Sequence, residues 1–188
     1  MKKFLSKKLL MSSAFEPFSQ LFTTSGTFEV PRGCKKLTVI VIGGGAGHGG
    51  GAYLNGIAFG GGGGGAGGKA QSVFEGERLK NLKGQEISVV VGQRGADGAY
   101  MSNGLPGSES SFAKGTSEEV IGYGGGPGLS GQGAGAGGSG IGDTVTQGSS
   151  GGPGGVASSG ANAPGHVIEG VGTFGGGAQN GAVYIIAE

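Results

Sequence analysis

The chain has 188 residues, of which 51 are glycine and 13% are charged, with a formal net charge of +1. Glycine at several times its usual share of about 7% excludes an ordinary globular core. Balanced charge removes the electrostatic case for a nucleic-acid partner and also the self-repulsion of a typical disordered chain.

No glycine occurs before Gly26, which divides the chain into an N-terminal arm, residues 1–25, and one glycine-rich body, residues 26–188. The arm opens MKKFLSKKLLMSSAF. Its lysines and apolar residues imitate a secretory signal, but Lys7 and Lys8 interrupt the apolar run and no small-residue cleavage site follows. No segment approaches the roughly 20 apolar residues of a membrane span, so membrane insertion is not expected. The arm reads as basic and apolar, the one place where the pattern leaves room for a short helix, with Phe4, Leu5, Leu9, Phe15, Phe18 and Phe22 available to a partner.

Within the body, short β-branched segments bounded by Gly, Asn or Pro predict strands at 27–31, 37–42, 70–74, 86–91, 119–121 and 182–187. Between them lie glycine runs at 43–51, 60–68, 122–142 and, more loosely, 148–155 and 172–177. Linkers would mix Ser, Thr, Lys and Glu through such runs and join independent domains. Collagen needs glycine at every third position with abundant proline, whereas here the spacing drifts and prolines number six.

The conformation left is the extended left-handed helix, with three residues per turn and no internal hydrogen bonds. Its peptide groups point outward and must be paired when buried, which neighbouring rods can do if only hydrogen stands between them. The uninterrupted run Gly60 to Gly65 suits the centre of such a packing, and GQGAGAGGSGIG at 131–142 suits its edge. The expected fold class is mainly β and irregular: a bundle of left-handed polyglycine II helices flanked by short β-strands, with little or no α-helix outside the arm.

LTVIVIGGGAGHGG imitates the start of a dinucleotide-binding unit, since Gly45, Gly47 and Gly50 satisfy G-x-G-x-x-G after a hydrophobic strand. No helical pattern follows, and the first carboxylate after it is Glu75, too late for a ribose contact. His48 and His166, with the single Cys34, are too few for a metal cluster. Asp143 and Glu169 suggest no carboxylate pair, and Ser149 and Ser150 lack the strand-and-helix frame of a nucleophile elbow. The expectation is a non-enzymatic chain without cofactor or metal.

The blocks FTTSGTFEVPRGCKKLTVIVIGGGAGHGGG, LKGQEISVVVGQRGADG, SESSFAKG, GYGGGPGLSGQGAGAGG and NGAVYIIAE, in that order, resemble the glycine-rich domain of bacteriophage tail-fibre and tail-tip proteins. The likeness spans residues 22–188. It implies a β-flanked polyglycine bundle whose variable loops gather at one end and touch a bacterial surface receptor. The matching segments are 52–59, 93–106, 143–150 and 162–174. Within them the contact chemistry falls to Tyr53, Leu54, Asn55, Phe59, Tyr100, Met101 and Asn103. The implied partners are a bacterial outer-surface protein or polysaccharide, and other virion proteins through residues 1–25, in a virion assembled in the host cytoplasm. The alternative is a structural cap, capsid-fibre or decoration protein whose loops bind neighbouring virion subunits. Oligomeric state stays open.

Overall fold

The structure is a computed structural model that describes residues 15–188; Phe4, Leu5 and Leu9 of the expected arm lie outside that range. The described strands, in chain order, are β1 (Phe18–Phe22), β2 (Gly26–Glu29), β3 (Leu37–Ile42), β4 (Ala52–Leu54), β5 (Ile57–Phe59), β6 (Lys69–Phe74) and β7 (Glu86–Val90). They continue with β8 (Ser110–Phe112), β9 (Val120–Gly122), β10 (Gly140–Ile141), β11 (Thr144–Thr146), β12 (His166–Ile168), β13 (Gly172–Phe174) and β14 (Ala182–Ala187). One helix, α1 (Gly76–Leu82), follows β6.

Two antiparallel five-stranded sheets, in the orders β1-β14-β3-β6-β11 and β10-β9-β8-β7-β2, enclose one apolar cluster. Val39 and Val41 of β3, Phe74 of β6, and Val183 and Ile185 of β14 meet Phe28 of β2, Val89 of β7, Phe112 of β8 and Val120 of β9 in it. The strands that sequence predicts are those with β-branched runs, because alternating side chains there have an interior to fill. α1 contributes Leu79 and Leu82, spaced three apart on one helical face, to the same cluster. Its Arg78 bonds Glu118 at 2.8 Å and Asp143 at 3.1 Å and lies 4.7 Å from the centre of the Phe74 ring. Seven residues with two apolar positions are too short to show a period in the sequence, which is why this helix in the body is not expected from it; most of the arm, where the pattern leaves room for a helix, lies outside the described residues.

The arm also differs from expectation. Residues 18–22 pair in register with β14, from Phe18 opposite Ala187 to Phe22 opposite Val183. Phe15 and Phe22 pack against the core, and the rings of Phe18 and Phe22 lie 6.2 and 6.5 Å from that of Phe28. A strand that covers the otherwise open edge of β14 gains a full ladder of bonds, so this part of the arm belongs to the body.

Between the sheets' ends and a set of distant turns run eight extended segments, at 43–51, 60–68, 92–99, 102–108, 123–128, 133–139, 148–154 and 159–165, here rods 1 to 8. They go out and back in pairs, each pair leaving a strand and returning to the next; the first three return to strands of the two large sheets, and the fourth to β12 of a separate hairpin. Inter-rod bonds repeat every third residue, the period of the polyglycine II helix. The amides of Gly43, Ala46 and Gly49 donate to Gly68, Gly65 and Gly62. Those of Gly62, Gly65 and Gly68 donate to Leu129, Gly126 and Tyr123, and those of Gly60, Gly63 and Ala66 to Gly155, Gly152 and Ser149. Rod 2 also accepts from Gly135 and Gly138 of rod 6 and from Gly160 and Ala163 of rod 8. It is therefore bonded to five other rods, and residues 61–68 are all buried.

The three faces of rod 2 account for its sequence. A Cβ on Gly61, Gly64 or Gly67 would fall on carbonyls of rod 1; on Gly62, Gly65 or Gly68, on rod 6; and on Gly63, on Ala161 of rod 8. None of these glycines has a positive φ, so they are present for close approach and not for backbone freedom. Rods 3 and 4 show the edge case. Gly92, Gly95 and Gly98 face inward at every third position, while Gln93, Arg94, Ala96 and Asp97 between them are exposed.

This arrangement predicts that Gly62→Val or Gly63→Val prevents folding, because the obstruction is backbone on a neighbouring rod. Ala134→Ser on exposed rod 6 should shift stability by less than about 0.5 kcal/mol. Circular dichroism melts with amide exchange of the 60–68 segment check both; equal stability of the three variants contradicts the assignment.

Candidate functional site

All four outward turns finish at one end of the bundle. β4 and β5 form a hairpin closed by Asn55 and Gly56, with φ of 50° and 83°, the left-handed pair that a two-residue primed turn requires. In the second turn, 99–102, the Ser102 amide donates to the Ala99 carbonyl at 2.9 Å with Met101 at φ 60°. The third, 129–133, has Gly131 at φ 91° and is closed by the Leu129 amide on the Gly133 carbonyl at 2.8 Å. The fourth, 155–158, is closed by the Ser158 amide on Gly155 with Ala157 at φ 54°.

These turns are bonded to one another almost entirely through main chain. The Met101 amide donates to Gly51 at 2.8 Å, Gly131 to Gly50 at 3.3 Å, Gly154 to Gln132 at 3.1 Å and Ala157 to Ala58 at 3.0 Å. One side chain takes part: Asn103 Oδ1 accepts from the Ser130 amide at 2.8 Å. Side chains at the turn apices are thus left free to face outward. Tyr53, Leu54, Ile57, Tyr100, Met101, Leu129 and Val156 are all exposed, Tyr100 and Val156 at 65%.

The same end carries no formal charge. Residues 37–68, 98–108, 120–142 and 144–168 contain no Lys, Arg, Asp or Glu. The charged pair closest to the turns along rod 3 is Arg94 with Asp97, 3.0 Å apart. Asp97 also accepts the His48 amide at 2.9 Å, and that bond, with Arg94 adding to it, holds its carboxyl below the usual carboxylate range. A surface of aromatic and aliphatic groups without ions suits a neutral, largely apolar contact.

All seven contact residues expected from the sequence lie on or beside these turns. Asn55 forms the hairpin turn, Phe59 is half-buried and bridges to Val156, and Asn103 is committed to Ser130. Two expected loops lie elsewhere. The 143–150 segment is at the sheet end, where Thr144 to Thr146 pair with β6 and Asp143 binds Arg78. The 162–174 segment returns toward that end, ending in the β12–β13 hairpin. Most of 93–106 is rod and not loop, with only its middle at the turn. In their place stand the third and fourth turns, whose Leu129 and Val156 sequence reasoning missed, along with Ile57 of the first. The interruptions of glycine by LSGQ and VASS mark these turns.

Other singled-out residues have structural partners. The amides of Gly45, Gly47 and Gly50 donate to Gln179, Leu105 and Ser102. Cys34 is buried in the core cluster. The His166 ring Nε2 lies 3.0 Å from the Gly67 carbonyl, extending the register in which Gly160 and Ala163 donate to Gly61 and Gly64. Among the described residues no group of three His, Cys, Asp or Glu could hold a metal ion.

Burial, aided by Lys69, holds the His166 imidazole below its ordinary pKa of 6.5, against the opposing pull of the Gly67 carbonyl. The unfolded chain then binds the proton more tightly than the folded one, so this contribution is fully present above about pH 6.5 and is lost as pH falls through the folded value. Melting temperature should be level above pH 7 and decline below 6.5, and His166→Gln should reduce that decline. A variant whose decline matches the parent's shows that other groups cause it.

A family model described as a glycine-rich domain matches residues 23–185. A search of curated proteins finds no match.

Proposed function

We propose, for a chain that belongs to the glycine-rich domain family, a non-enzymatic role as a bacteriophage virion protein at a tail-fibre tip, docking on the host's outer surface through its four distal turns. The observation that carries this reading is the convergence of exposed Tyr53, Leu54, Ile57, Tyr100, Met101, Leu129 and Val156 on one uncharged end of a rigid bundle. Aromatic and long aliphatic side chains provide large contact area, and their rigid platform lowers the entropy lost on binding.

The molecule's polarity supports the same role. β14 runs from Ala182, level with Ile42 where rod 1 begins, to Ala187 opposite Phe18. Phe18 therefore stands at the pole of the sheets opposite the turns. Attachment to other virion proteins through the N-terminal segment would aim the turns away from the particle. The partner best suited to an aliphatic, carboxylate-free tip is an uncharged patch of an outer-surface protein, since acidic side chains that would hold sugar hydroxyls are missing from the turns.

Replacing Tyr53, Tyr100 and Met101 together with Ser should leave particles assembled and the chain folded while abolishing adsorption. If adsorption persists but assembly fails, the turns face other virion subunits and the protein is a structural cap. Host cells stripped of surface polysaccharide should still adsorb the particle; loss of adsorption there moves the receptor to the glycan. Because the tip has no ions, adsorption should change less than two-fold between 50 and 300 mM salt, where a contact built on charge pairs would weaken steeply.

A further inference from the structure

The second distal turn carries a side chain that its backbone disfavours. In 99–102 the Ser102 amide closes on the Ala99 carbonyl and Met101, the third residue, has φ 60°. That position favours Gly or Asn, because a Cβ there crowds the following carbonyl. Elsewhere on the same face the first turn meets this requirement with Asn55 and Gly56 and the third with Gly131, while the fourth places Ala157, whose side chain is a single methyl, at φ 54°. Among the described residues, the non-glycine residues with positive φ are Asn55, Met101, Ala113, Ala157 and Ala178. Met101 is the one among them with a long apolar side chain.

Burial does not offset the strain, since Met101 is 58% exposed. Its amide bond to Gly51 uses main chain alone and would survive any substitution that keeps the turn. Among the described residues nothing therefore accounts for a methionine in a chain with glycine in such supply. Unfavourable backbone kept without internal compensation points to a role outside the fold.

We infer that Met101 is an affinity-determining contact, held at the apex of its turn at a cost in stability so that its flexible thioether side chain meets the partner. The inference rests on the docking role proposed above. The partner group opposite Met101 is an apolar patch of a host surface protein, because a thioether offers dispersion and shape adaptation and almost no hydrogen bonding.

The test compares purified full-length variants for melting temperature and for binding to intact host bacteria. Met101→Gly should raise the melting temperature by about 2 °C, strain relief exceeding the added chain entropy, and weaken binding about ten-fold. Met101→Leu should keep both near the parent's values. Ala178→Gly, which relieves the same conformation (φ 75°) in a turn near the sheets, should raise the melting temperature and leave binding unchanged. The inference is overturned if Met101→Gly binds as the parent does, or if it melts at or below the parent's temperature while Ala178→Gly melts higher. If the triple replacement of Tyr53, Tyr100 and Met101 also binds normally, the docking role itself fails, which separates the two conclusions.

Discussion

A carbonyl oxygen of one rod stands where the Cβ of its neighbour would be, and the rest of the molecule depends on that proximity. Around rod 2 it holds on three faces, with Gly61 and Gly64 against rod 1, Gly62 and Gly65 against rod 6, and Gly63 against rod 8. Only at this separation can peptide groups that point radially from an extended helix bond to those of the next. Cohesion in the bundle is thus main-chain hydrogen bonding, at about 0.5–1.5 kcal/mol net per bond. Fixing one residue's backbone costs about 1–2 kcal/mol, and glycine about 0.5–1 kcal/mol more than alanine. Main-chain bonding alone does not outweigh that cost, so the rods need an anchor that is not made of glycine.

The sheets are that anchor. β3 leads into rod 1, rod 2 leads into β6, β7 into rod 3, rod 4 into β8, β9 into rod 5 and rod 6 into β10, so the first three pairs of rods start and end on strands of the two five-stranded sheets, while the fourth starts from β11 of the same sheets and ends on the β12–β13 hairpin. Strands that fix the base of an excursion reduce the loop-closure entropy that the pairing of its rods must overcome. Ordering apolar residues into the sheets and glycine into the rods separates two kinds of cohesion along the chain, and the boundary falls at Gly43 and Gly68.

Much of this was legible in the sequence because its cause is local. Strands β3 and β14 match the predicted 37–42 and 182–187 at both ends, and the central place of Gly60 to Gly65 follows from having no face for a side chain. Elements with weaker local signals were not legible. Rods 3 and 4 carry glycine only at 92, 95, 98, 104 and 107, so the segment reads as loop unless the three-residue spacing is counted. β1 exists because β14 has an edge to cover, and a two-residue strand such as β10 because β9 lies beside it; both are set by tertiary context. The resemblance to tail-fibre domains implies loops gathered at one end of the bundle. Only the out-and-back path of the rods shows that Leu129 and Val156 belong to that end and that 143–150 does not.

The division of labour at the turns bears on how such a surface can change. Bonds joining the four turns run through the main chain at Gly50, Gly51, Ala58, Met101, Gly131 and Ala157, so they impose little on the side chains at the apices. Tyr53, Leu54, Ile57, Tyr100, Leu129 and Val156 can each be exchanged without breaking an inter-rod bond. Asn103 is the exception, since its carboxamide supplies the Ser130 acceptor and its loss would leave that amide without its partner. A bundle cemented by backbone thus fixes where the exposed turn residues stand while leaving their chemistry open, and a hydrophobic core could not do this, because there position and side-chain identity are set by the same packing.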